Sequence, residues 1–205
     1  MRFLAMVLIL LFTCSPAFAF QNEPDGFQGL KLNSSFGEVK SSQLLCDRYY
    51  GEDEKELDAH EFDLSLSNEY SVRLDEYYFD LDEQIQSLHG VPFKVLYFDF
   101  YKDKLYNITV CLGQAVARTE DDKKLNMFYF HELQRNFTEL YGPPTSTYPE
   151  QLAANDSYTR LYWKGDKAII SLRWLNDFPQ LTITSVPLRN EIKDAIYKQA
   201  STERN

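Results

Sequence analysis

Metal-ligating and nucleophilic residues are in short supply in this chain. Of 205 residues three are histidine, at positions 60, 89 and 131, and three are cysteine, whereas a zinc site gathers three or four nitrogen or sulfur ligands at one point. His131-Glu132-Leu133-Gln134-Arg135 opens like the zinc-protease helix, whose second histidine must come one turn later to meet the same ion. Arg135 stands there, and a guanidinium does not ligate zinc, so no metal site is expected. The eight glycines are scattered singly, so no glycine-rich loop cradles phosphate, and no cofactor is expected. No Gly-x-Ser-x-Gly elbow occurs, and no catalytic residue can be singled out. Cations are outnumbered as well: 21 Lys and Arg face 31 Asp and Glu, a net charge of −10. That field repels phosphodiester and anionic lipid, and nucleic acid is not an expected partner.

Long apolar runs are confined to one place, Phe3 to Phe12. Met1-Arg2 before it and Pro16-Ala17-Phe18-Ala19 after it give the layout of a secretory signal cut after Ala19. Ten apolar residues fit a signal core and fall short of the roughly 18 or more that span a bilayer, so no stable transmembrane segment is expected. The protein is therefore expected to be exported, periplasmic or secreted. Leu11-Phe12-Thr13-Cys14 also resembles the lipid-attachment box of bacterial lipoproteins, with Thr13 where that box takes Gly or Ala; lipid anchoring through Cys14 is the alternative. After cleavage 186 residues remain, and the loss of Arg2 moves the net charge from −10 to −11. Cys46 and Cys111 are then an even number in a compartment that permits disulfides. A bridge between them would close a loop of about 65 residues, for which chain entropy gives on the order of 4 kcal/mol.

What is abundant is aromatic: 15 Phe and 14 Tyr bring the aromatic fraction to 15% within a hydrophobic fraction of 44%, enough to drive the folding of one core. A flexible lead-in at 20–30 and a single domain over 31–200 are expected. Ser35-Phe36-Gly37-Glu38 matches a capping box and starts a short helix through Val39, Leu44 and Leu45. Glu52 to Glu61 is charge-dense and reads as a solvated loop. Phe62, Leu64 and Leu66, then Tyr70, Val72 and Leu74, alternate with polar residues as a hairpin. Lys94–Tyr101, with Leu96, Phe98 and Phe100 on one face, turns at Lys102-Asp103-Lys104 into Leu105–Leu112, with Tyr106, Ile108, Val110 and Leu112 aligned. A long helix over Asp122–Tyr141 places Phe130, Leu133, Phe137 and Leu140 on one stripe, and Gly142-Pro143-Pro144 ends it. A polar connection leads to a three-strand meander, Tyr158–Lys164, Ala168–Leu175 and Leu181–Val186, before a terminal helix from Leu188. Strand runs without intervening helices exclude a doubly wound sheet. The expected fold class is α+β, an antiparallel sheet with helices packed on one face, in two divergent helix-plus-meander halves.

Functional signals are few. The acids between Glu52 and Asp63 lack the glycine and alternate-oxygen spacing of a calcium loop. Four N-x-S/T sequons stand at Asn33, Asn107, Asn136 and Asn155, of which Asn107 falls in a strand and Asn136 in the long helix. Tyr162, Trp163 and Trp174 lie on adjacent strands and offer either an aromatic binding surface or core packing.

Phe27-Gln28-Gly29-Leu30-Lys31-Leu32, the hairpin from Tyr97-Phe98-Asp99-Phe100-Tyr101 to Leu105, and the helix end Leu140-Tyr141-Gly142-Pro143 together resemble small exported bacterial proteins of unknown function. The second half, helix then Gly-x-Pro then a tryptophan-bearing meander, is similar to the helix-plus-sheet modules of outer-membrane assembly lipoproteins and secreted β-lactamase inhibitor proteins. Export, an aromatic-rich antiparallel sheet and the absence of convergent catalytic groups point to an exported, non-enzymatic binding or envelope-associated module that meets a protein or envelope component through its exposed sheet face. The alternative is a small hydrolase whose paired carboxylates meet only in space.

Overall fold

The computed structural model describes residues 22–42, 44–45, 52–58, 71–80, 86–114, 119–153, 156–175 and 177–202. Ala19, Cys14, Cys46, His60, Asn155 and the expected strand at 62–67 lie outside them. The chain is α+β, with helices packed on an antiparallel sheet. Strands β1 (Gly26–Phe27) and β2 (Leu30–Lys31) form a two-residue hairpin. Helix α1 (Phe36–Lys40) follows from the capping box: Glu38 N–H donates to Ser35 Oγ at 3.3 Å and Ser35 N–H to Glu38 Oε2 at 2.8 Å. The backbone bond from Ser35, then its hydroxyl, holds the Glu38 carboxyl below its usual range. Strands β3 (Glu52–Asp58), β4 (Ser71–Asp80), β5 (Gln86–Leu88), β6 (Val91–Tyr101) and β7 (Lys104–Leu112) complete the first half. Lys102 and Asp103, both at positive φ, form the tight turn between β6 and β7.

The second half repeats the plan. Thr119 and Asp122 form another reciprocal cap, at 3.1 and 2.9 Å, for helix α2 (Glu120–Tyr141). Gly142, at φ 83°, ends it as expected. Strands β8 (Ser146–Ala153), β9 (Asp156–Lys164), β10 (Ala168–Leu175) and β11 (Phe178–Ser185) follow, and helix α3 (Val186–Thr202) closes the chain. The strand order is β3-β4-β6-β7-β11-β10-β9-β8, with β5 on β6. Each half thus runs from one edge inward, and β7 meets β11 in the middle, in register about the pair Thr109 and Thr182.

The helices divide between the two faces, which corrects the expectation of one. Val39 of α1 and Phe130, Leu133 and Phe137 of α2 share the main core with Phe98, Ile108, Ile170 and Leu181. Leu188, Ile192, Ile196 and Ala200 of α3 instead pack on Leu74, Tyr101 and Tyr106. Phe100 and Tyr101 are adjacent in one strand and so point to opposite faces, which places α3 behind the sheet. Tyr106 leaves the stripe of Ile108, Val110 and Leu112 because the register shifts between Asp99 and Phe100, inserting an extra residue in β7.

Other differences have local causes. Glu52–Asp58 is an edge strand paired with Ser71–Tyr77 of β4, in place of the expected loop, and β4 pairs with β6 as well. Ser146–Ala153, read as a connection, is the opposite edge strand. The lead-in is anchored by Phe27 and Leu30, both buried. On α2 the buried stripe begins at Asn126 and leaves Leu140 exposed, because one turn after Phe137 the helix presents Tyr141 to the core.

Candidate functional site

Alternation along each strand gives the sheet a second, largely polar face, and the registers decide which residues meet on it. Ser146 on β8 stands opposite Tyr162 on β9, which faces Ser171 on β10, which faces Thr182 on β11. Thr182 pairs with Thr109 on β7, Thr109 with Tyr97 on β6, and Tyr97 with Tyr78 on β4. Every one of these seven residues carries a hydroxyl, so the face is crossed by an unbroken hydroxyl row at the interstrand spacing of about 4.8 Å. Six are half-buried and Ser171 is 7% exposed. Among the described residues the hydroxyls of Ser171 and Ser146 have no hydrogen-bond partner.

The tyrosines concentrate at the row's ends. Tyr78 and Tyr97 lie with ring centroids 5.2 Å apart at 48°. Burial, with Cys111 and Glu76 nearby, pushes the Tyr97 phenol up, so it stays a neutral donor. At the other end Tyr162 accepts from Arg160 Nη1 at 3.0 Å, and Lys164 Nζ lies 5.3 Å from its ring centroid. Thr109, Thr182 and Ser171 between them are short, so the row dips into a trough.

Both flanks of the row are knit by side chains. On the α3 side, Thr184 donates to Asn107 Oδ1 at 2.7 Å, and Asn107 Nδ2 donates to Asp99 Oδ2 at 2.9 Å and Thr109 Oγ1 at 3.2 Å. Asn107, buried at 8% exposure, therefore has no room for a glycan. On the far side Arg173 Nε donates to Gln180 Oε1 at 2.5 Å. Cys111 beside them is a free, buried thiol, and its expected partner Cys46 lies outside the described residues. Burial pushes that thiol up to about 11, against smaller opposing pulls from Gln180 and Arg173.

The tryptophans are not on this face. Trp163 is fully buried on the core side, its Nε1 donating to Gly142 O at 2.8 Å and its ring set edge-on to Phe137. Trp174, 3% exposed, packs edge-on against Phe130. Tyr162 alone of the three expected aromatics faces outward; Trp163 is its neighbour in the strand and must point the other way. His131 is exposed on α2, where Arg135 pairs with Glu132. His89 sits in the turn between β5 and β6 at the rim of a cavity of about 130 Å³ lined by Phe27, Phe137, Tyr141, Ile170 and Leu181. That cavity is lined by polar and apolar surface in similar measure and takes at most one small ring.

No family model matches the chain, and no curated protein or solved structure matches it. The polar phase of the central strands was legible in the sequence, and that of β8, read as a connection, was not. The seven-residue row was not, because it exists only once β7 is paired with β11.

Proposed function

We propose that this protein is an exported, non-enzymatic binding module that meets a protein or envelope component through the open face of its sheet. Export rests on the amino-terminal layout that predicts cleavage after Ala19, with lipidation at Cys14 as the alternative route to the envelope. The observation that carries the binding reading is the hydroxyl row, above all Ser171, a buried hydroxyl with no partner at the floor of a trough. Placing a photo-crosslinking residue at Thr182 in the native host should capture an envelope component that the same residue at Phe128, 57% exposed on α2, does not. Capture from both positions alike, or from neither, would count against this face.

The hydrolase alternative would draw on Glu76 and Asp99, carboxylates paired across β4 and β6. Asp99 Oδ2 already accepts from Asn107, an arrangement that serves the network of the sheet. Binding therefore remains the reading with the stronger support.

A further inference from the structure

We infer that the occupant of this face is a neutral polysaccharide strand, laid across the β-strands along the hydroxyl row. The inference rests on the binding reading above and names the ligand class for the same surface. Three features favour a glycan. The first is hydrogen-bonding repertoire: each Ser, Thr or Tyr hydroxyl both donates and accepts, the same dual capacity that every sugar hydroxyl has. A protein partner would want apolar anchors at the centre of the contact, where this face has Thr109, Thr182 and Ser171. Phosphate-bearing partners are disfavoured by the net charge of −10.

The second is dimension. Successive strands, and so the backbones of successive row residues, stand about 4.8 Å apart, comparable to one pyranose unit of an extended chain, so the row offers one polar side chain per sugar. From Tyr97 to Tyr162 the row crosses β6, β7, β11, β10 and β9, about 19 Å at that spacing. A right-handed twist of roughly 20 to 25° per strand turns the outer strands away from a stiff chain, which limits close contact to about four sugar units across those strands.

The third is the shape of the trough. Tyr97 and Tyr162 stand at its two ends, the Tyr97 ring beside that of Tyr78 and the Tyr162 ring against Arg160 and Lys164, so each end is closed by an aromatic body with a polar tip. Helix α3 forms a side wall. Its contact at Tyr101 is four residues from Tyr97, about 13 Å along the strand, so the helix runs beside the row and leaves it uncovered. The burial that keeps the Tyr97 phenol neutral preserves its donor across the physiological range. Ser171 lies at the middle of the row with a buried hydroxyl that has no partner.

The test is titration of the mature protein with chito- and cello-oligosaccharides of two to six units, followed by amide NMR. Affinity should rise about tenfold from the disaccharide to the tetrasaccharide and then level off. Shifts should concentrate at Tyr97, Thr109, Thr182, Ser171 and Tyr162. Thr182→Val and Ser171→Ala, which remove a hydroxyl at little change of shape, should each weaken binding about fivefold, and Phe128→Ala should leave it unchanged. The shift map of the unaltered protein decides the matter should either variant fold poorly. No binding at about 10 mM, a free energy too weak to matter, would overturn the glycan assignment. Were Thr182 still to crosslink a protein in the host, the face would stand as a binding surface and only the ligand class would fall. Shifts clustered away from the row would overturn the assignment equally.

Discussion

At the scale of single residues, two buried polar groups on the second face behave in opposite ways. Ser171 keeps a hydroxyl without a partner, which a folded protein tolerates at about 1–3 kcal/mol; Cys111 keeps a thiol that its surroundings hold neutral. Burial raises the Cys111 pKa from its ordinary 9.0 to about 11. The proton is therefore held more tightly in the folded chain, and the stability linked to it is complete below pH 9 and lost as pH rises through about 11. Two units correspond to on the order of 3 kcal/mol. Denaturation at rising pH should show this loss in the native chain and not in Cys111→Ala. A thiol reagent at pH 8 should label Cys111 slowly until the protein is unfolded; fast native labelling would contradict the burial.

At the scale of elements, Asn126 is the side chain on which α2 depends for its placement. Its Oδ1 accepts from Gln114 N–H at 2.8 Å, and its Nδ2 donates to the carbonyls of Gln114 at 2.9 Å and Asp177 at 2.8 Å. One fully buried amide thus ties the helix to the end of β7 and to the turn before β11. Asn126→Leu fits the helix pattern better yet leaves three backbone groups without partners, and should lower stability by about 2–4 kcal/mol in chemical denaturation. A neutral result would mean that water replaces those bonds. Asn126 also marks the limit of reading α2 from sequence. Phe130, Leu133 and Phe137 announce the buried stripe by hydrophobicity, whereas a polar residue that is buried because it bonds loop backbone gives no such signal. Among the strands that escaped sequence reading, β3 and β8 are the sheet's edges. Edge strands are made unattractive to other chains by charge and proline, as in Glu52-Asp53-Glu54-Lys55-Glu56 and at Pro149, and those residues are what mark a segment as loop. Central strands β6, β7, β10 and β11, apolar on at least one face, were legible for the converse reason.

At the scale of the whole molecule, a helix followed by an antiparallel run of strands occurs twice, β3-β4-β6-β7 with β5 beside β6 and then β8-β9-β10-β11, each running from an edge to the centre. That plan could be suspected from element order alone. The pairing that joins the halves could not, since nothing in β7 or β11 names its partner across about 70 intervening residues. The row of hydroxyls inherits this property: three members come from the first half, Tyr78, Tyr97 and Thr109, and four from the second, Thr182, Ser171, Tyr162 and Ser146. Helix α3 breaks the likeness by packing on Leu74, Tyr101 and Tyr106 of the first half, and so decides which part of the rear surface stays accessible.

The central seam has one more consequence. Five residue pairs from Asn107–Thr184 to Cys111–Gln180 close the sheet, and either half by itself would expose a long, largely apolar rim there, the kind of edge that recruits another strand. Nicking the backbone between Leu112 and Thr119 should therefore release two pieces that reassemble on mixing, detectable as a single co-eluting species with native circular dichroism. Kept apart, each piece should clasp a second copy of itself along the same rim, so that severing the chain would create dimers of its halves.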